Sequence, residues 1–203
     1  MNDLPEKLRE RADRKTRKRD EKKRQIAQSA ISALKELGYA NTGLRDIAAK
    51  SDLSLGMLHY YFEDRSDLII YCVRIYKHEF VRAITQAVEH AQGRDEVAQA
   101  FAEALAASII RDEETHRLWY DIRTQAMFDA AFRPAVAEIE ALLINAVRIG
   151  FDKAGTVDPA DESLAYAMID GAFRYLMQGQ IGPAARDQAT LSAIFREILA
   201  RFL

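Results

Sequence analysis

Residues 38–68 read GYANTGLRDIAAKSDLSLGMLHYYFEDRSDL. Leu44, Ile47 and Ala48 share one face of a short helix running from about Leu44 to Lys50,. Thr42 or Gly43 stands at its cap position, and Asp46 in its first turn favours its positive end,. Leu53 follows a tight turn, and Ser54 suits the cap of another helix reaching about Phe62,. Leu58 and Phe62, four apart, turn inward. Leu55, Gly56, Met57, His59, Tyr60 and Tyr61 are left on the outer side,. Apolar groups gain nothing from water there, whereas thymine methyls and base edges suit them. The spacing predicts a helix-turn-helix whose second helix enters a major groove. Gly56 lets that backbone approach the groove floor, and Arg45 is the candidate for a bidentate contact to guanine,.

Upstream, residues 7–24 hold 11 basic and 4 acidic side chains. The net charge of −2 hides an asymmetry: residues 1–68 carry 15 Lys/Arg against 12 Asp/Glu, and residues 69–203 carry 14 against 19. A polyanion therefore has a footprint at one end alone. The stretch 1–19 has no apolar stripe and is expected to be a flexible basic arm or a frayed helix extension, either solvated or touching phosphate. A first helix is expected from about Asp20 to Leu37, with Ile26, Ala30, Ala33, Leu34 and Leu37 on one face and Gly38 as its stop,.

Downstream, helical punctuation continues without an alternating strand pattern. A long helix starts at Asp64 or Ser66 and runs to about Gln92. Further helices are expected over roughly 95–110, 113–128, 133–153, 160–180 and 187–202, bounded by Gly93, Asp112, Pro134, Gly155, Asp158-Pro159 and Gly182-Pro183,. The prediction is an all-α chain of about nine helices: an arm (1–19), a three-helix helix-turn-helix head (20–68), and a larger helical-bundle body (69–203). Apolar runs such as LIIY at 68–71 and ALLI at 141–144 are far short of the ~20 residues that span a bilayer,. No secretory segment is expected, and the lone Cys72 suits a reducing cytosol,. A cytoplasmic protein without a membrane partner is the expectation.

Gly38, Tyr39, Asp46-Ile47-Ala48, Leu53-Ser54, Gly56, Leu58, Tyr61-Phe62 and Leu68 follow a known spacing. Over about residues 20–70 the chain resembles the TetR family of bacterial transcriptional regulators. It departs from that pattern at Gly43, at Asp52 in the turn, at His59 in the recognition helix and at Arg65. Asp tolerates a left-handed turn. The resemblance implies that Arg65 takes over a phosphate contact usually made by lysine, with the Thr42 hydroxyl beside it. The expected DNA-contacting set is then Thr42, Leu44, Arg45, Ser54, Leu55, Gly56, Met57, His59, Tyr60, Tyr61 and Arg65,.

The resemblance also implies a small-molecule effector in the body and a homodimer on a double-stranded, palindromic operator, with the long fourth helix as lever. Candidate effector contacts are His116, Trp119, Tyr120, Arg123, Met127, Phe128, Tyr166 and Phe173, which equally suit plain core filling,. Arg123 either receives an anion or salt-bridges. Candidate dimer contacts on the last two helices are Leu164, Met168, Gly171, Tyr175, Leu191, Ile194, Phe195 and Ile198; Asp170-Gly171 also resembles the family's dimerisation helices. A ligand-independent architectural DNA-binding dimer would share the head. Glu113-x-x-His116 is half of a carboxylate-bridged di-iron signature and lacks its second half, so an oxidoreductase is disfavoured,. No enzyme, cofactor or metal is expected.

Overall fold

The computed structural model describes residues 6–156, 162–183 and 185–203, with side chains from residue 13 onward. The expected segment at 158–161, with its Asp158-Pro159 boundary, lies outside the described residues. The described residues form eight α-helices: α1 (Glu6–Leu37), α2 (Leu44–Lys50), α3 (Leu55–Tyr61), α4 (Arg65–Val88), α5 (Gly93–Gln125), α6 (Arg133–Ala154), α7 (Glu162–Gly179) and α8 (Gln188–Leu199). A 3₁₀ turn, Ala130–Phe132, precedes α6. Among the described residues there is no strand, and no helix is long and apolar enough to cross a membrane.

Two features refine the expected elements. Of the two alternatives for the arm, residues 6–19 take the helical one: α1 runs unbroken from Glu6, carrying its basic residues on an exposed surface over residues 13–20. The two helices expected on either side of Asp112 form the single element α5, and Asp112 survives as a kink with φ −120° and ψ 20°. Pairing of the Arg111 guanidinium with Asp112 Oδ2 at 2.7 Å accompanies that break.

The chain forms two compact units, one ending at Val73 and one spanning Arg74–Leu203. In the first, Ile26, Ala27, Ala30, Ala33 and Leu34 of α1 are buried with Ile47, Ala48, Leu58, Phe62, Leu68, Ile69 and Cys72. Leu37, expected on the buried face, is exposed beside the helix stop, where Gly38 adopts φ +78°. In the second, α5 packs chiefly against α8 and α6, and α7 packs against α5, α6 and α8. Trp119, Ile109, Phe132, Phe151 and Phe195 are its large fully buried side chains. α6 ends where Gly155 takes φ +71°, and Asp187 Oδ1 caps α8 by accepting from the Thr190 N–H at 2.7 Å,.

Candidate functional site

Local bonds fix the first unit's turn. Gly43 is the N-cap of α2, and its N–H donates to Asp46 Oδ2 at 2.8 Å. Asp52 adopts the left-handed conformation at φ 51°, and the Leu53 N–H closes the turn onto the Ala48 carbonyl at 3.0 Å,. Ser54 then caps α3, its Oγ accepting from the Met57 N–H at 3.2 Å,. With Leu58 and Phe62 buried, α3 has one outward orientation left.

That orientation exposes Gly56, Met57, His59 and Tyr60, with Tyr60 at 61% and Met57 at 45% accessible. A Cβ added at Gly56 would meet nothing within 4 Å. Tyr60 and Tyr61 meet edge to face with ring centroids 5.0 Å apart, and the Arg19 guanidinium of α1 lies 5.9 Å from the Tyr60 ring centre. His59 Nδ1 approaches the Glu63 carbonyl at 3.3 Å. Arg45 is exposed, while Leu44, Leu55 and Tyr61 are half-buried. The surface thus combines the exposed Met57, hydrogen-bonding aromatic tips and basic groups, a composition suited to base edges and phosphates,.

Two expected DNA contacts are engaged inside the protein. Thr42 is buried, and its hydroxyl donates to the Gly38 carbonyl at 2.7 Å, so it neither caps α2 nor faces a phosphate. Arg65 Nε donates to the Thr42 carbonyl at 2.7 Å, Nη2 donates to the Tyr39 carbonyl, and the guanidinium lies 4.3 Å from the Tyr39 ring centre. Arg65 is a strut joining the start of α4 to the α1–α2 turn. Sequence spacing cannot reveal this, because the acceptors are backbone atoms 23 and 26 residues away.

Residues 26–72 match the family model described as bacterial regulatory proteins, tetR family. Over that segment the chain carries a tetR-family DNA-binding region. It is 23% identical over 167 residues to the HTH-type transcriptional regulator PksA of Bacillus subtilis (strain 168), covering 78% of this chain and 80% of that protein. A TetR-family regulator structure from Mesorhizobium loti MAFF303099 superposes with TM-score 0.70 at 22% identity, covering 91% and 96% of the two chains. The transcriptional regulator FadR of Bacillus subtilis, solved in complex with stearoyl-CoA, superposes with TM-score 0.62 at 20% identity, covering 87% and 96%. These structural likenesses establish a shared fold. The chain carries the DNA-binding head of a transcriptional regulator.

The second unit of the regulator holds a small cavity of about 40 Å³. Lys77, Phe80, Phe101, Tyr120, Tyr166, Asp170 and Phe173 are among its walls. Lys77 is buried, its Nζ lying 4.8, 5.0 and 5.3 Å from the ring centres of Phe80, Trp119 and Tyr76,. Burial lowers its pKa to about 7, with Asp170 opposing that shift and Arg123 adding to it,. Asp170 accepts from the Tyr120 hydroxyl at 3.0 Å and pairs with Arg123, which also holds Glu140 Oε1 at 2.7 Å. Arg123 is therefore a salt-bridging residue, and Asp170 belongs to the cavity wall instead of an exposed dimer surface. Among the described residues neither Tyr166 Oη nor Trp119 Nε1 has a hydrogen-bond partner.

The other expected effector contacts divide sharply. Tyr120, Tyr166 and Phe173 line the cavity. Trp119 is sealed beneath Lys77, and His116 is buried against Phe173, where the Tyr76 hydroxyl meets Nδ1 and the Ser108 hydroxyl lies 2.7 Å from Nε2. Burial, then Lys77, pushes the imidazole pKa well below its usual value and keeps the ring neutral,. Met127 and Phe128 fall in the turn after α5, 66% and 79% accessible, and are not among the walls of the Lys77 cavity. Glu113 pairs with Arg117 at 2.5 Å, and no metal-ligating cluster occurs among the described residues.

The expected dimer contacts divide too. Leu164, Met168, Gly171 and Tyr175 form an exposed stripe along α7,. Leu191 and Phe195 are buried within their own protomer, on the helix that packs most against α5, so they cannot reach a second copy. Ile194 and Ile198 are half-buried. Sequence reasoning missed Lys77 altogether. Its flanks, Tyr76 and Phe80, were the available signal of an inward position.

Proposed function

We propose that this regulator is a cytoplasmic homodimeric repressor that binds a palindromic operator through paired α3 helices and releases it when a small molecule enters the second unit. The observation that carries the reading is the cavity of about 40 Å³ walled by a buried lysine and an unpartnered tyrosine hydroxyl. Burying such groups costs free energy, and a polar ligand returns part of it. The stearoyl-CoA complex of the FadR relative supports a ligand site in this fold. The α7 stripe of Leu164, Met168, Gly171 and Tyr175 supports pairing of two copies, and a twofold pair suits half-sites one helical turn apart,.

Release follows from linkage alone. An effector preferring the operator-free form lowers operator affinity, and operator DNA lowers effector affinity by the same factor. Selection of bound sites from random DNA, repeated with a metabolite panel, tests the reading. A twofold site lost with one compound is the expected result. A ligand-independent architectural dimer is favoured by one observation, the cavity's volume, since ligand pockets usually reach ~300–1,000 Å³,. Sites indifferent to every compound would establish that alternative.

A further inference from the structure

We propose that the cavity walled by Lys77 and Tyr166 takes an apolar monocarboxylic acid, its carboxylate held by the Lys77 ammonium and the Tyr166 hydroxyl, its body packed among Phe80, Phe101 and Phe173. This rests on the effector reading above and names the effector's class. Four charged groups stand in or beside the cavity, and three are mutually satisfied: Arg123 binds both Glu140 and Asp170, and Tyr120 donates a further bond to Asp170. Among the described residues Lys77 forms no ion pair with a carboxylate. Its charge is offset by ring faces, which stabilise a buried cation less than a carboxylate does,. Tyr166, buried with an unpartnered hydroxyl, supplies a second donor,.

The same groups discriminate between ligand classes. A cationic ligand would meet Lys77 and would have to displace Arg123 from Asp170. An uncharged ligand would leave the ammonium uncompensated. The titratable and charged groups around Lys77 are Tyr76 of α4, His116, Tyr120 and Arg123 of α5, Glu140 of α6, and Tyr166 and Asp170 of α7. With the lysine pKa near 7, binding a carboxylate above neutrality draws a proton onto Nζ,. The cavity has room for about one or two waters and must widen around the ligand's body,. Trp119, the chain's one tryptophan and a ring neighbour of Lys77 Nζ, reports on that event.

The test titrates the full chain with octanoate and 4-phenylbutyrate, and with the amide and the amine of each, by calorimetry and Trp119 fluorescence. At least one acid should bind about tenfold tighter than its amide, with the amine weakest. Lys77→Met should abolish the acid's advantage over its amide, the two then binding within about twofold of each other. Tyr166→Phe should weaken the acid about threefold or more. At pH 8, titrations in two buffers of different ionisation enthalpy should show proton uptake. Amides equal to acids, an amine binding tightest, unchanged acid affinity in Lys77→Met, or no binding by any of the six compounds would each overturn the proposal. Operator release by an uncharged metabolite, without acid binding, would refute the acid class and leave the effector reading standing. Acid binding that never loosens the operator would support the acid site and refute the effector reading.

Discussion

The α3 surface and the second unit's cavity treat polar side chains in opposite ways. On α3, Tyr60 and His59 are exposed, and Met57 stands in water beside them. In the cavity wall Lys77 and Tyr166 are buried among rings, their polar ends withdrawn from water. Each arrangement costs free energy, through wetted apolar surface in one place and a desolvated charge in the other. The difference fits the two partners proposed above: a broad hydrated polyanion for the α3 surface and a small ligand for the cavity.

The largest effect that would break this contrast comes from Gly56. Gly56→Leu places its side chain in open space, so the head's thermal stability should hold or rise,. Operator affinity should nevertheless fall on the order of 100-fold, ~2.7 kcal/mol. Retained affinity in a mobility-shift titration would mean that α3 does not approach the groove. Next, Arg65→Ala should destabilise the head by about 2 kcal/mol in denaturant melts, because two backbone carbonyls lose a charged donor,. The salt slope of binding by the folded fraction should not change; a slope reduced by about one would restore Arg65 as a phosphate contact. Arg45→Ala, on an exposed side chain, should cost about 1.5 kcal/mol at one base pair and relax preference there,. An unchanged selected site would remove it from the reading set.

The smallest effect concerns the buried lysine. The native Lys77 pKa, about 7, lies below its unfolded value, so between these two pH values the unfolded chain binds more protons,. Wild-type stability should therefore rise with pH relative to Lys77→Met, by about 1 kcal/mol per pH unit above neutrality. Below neutrality the methionine variant should be the more stable. Parallel stability curves at fixed protomer concentration from pH 7.5 to 9.5 would show that Lys77 is not desolvated.

The head was legible because its signals are local. Ser54 caps the helix beginning at the next residue, Asp52 tolerates the turn at its own position, and Leu58 and Phe62 share a face by spacing alone. Arg65 was misread because its acceptors are carbonyls of a distant turn, and Thr42 because its hydroxyl turns back to Gly38. In the second unit, composition collected aromatics without saying which face each one takes. Met127 and Phe128 fall in an exposed turn, while Tyr166 and Phe173 of α7 share a cavity wall with Lys77 of α4. Leu191 and Phe195 fit a helix face, but that face packs on α5. Periodicity finds a face without naming its partner.

The central claim is that two α3 helices enter successive major grooves of one duplex. A hydroxyl-radical footprint on the selected operator measures this directly. The account predicts two protected windows on one side of the DNA, their centres about 34–36 Å apart. A single window, or two windows on opposite sides, would contradict it.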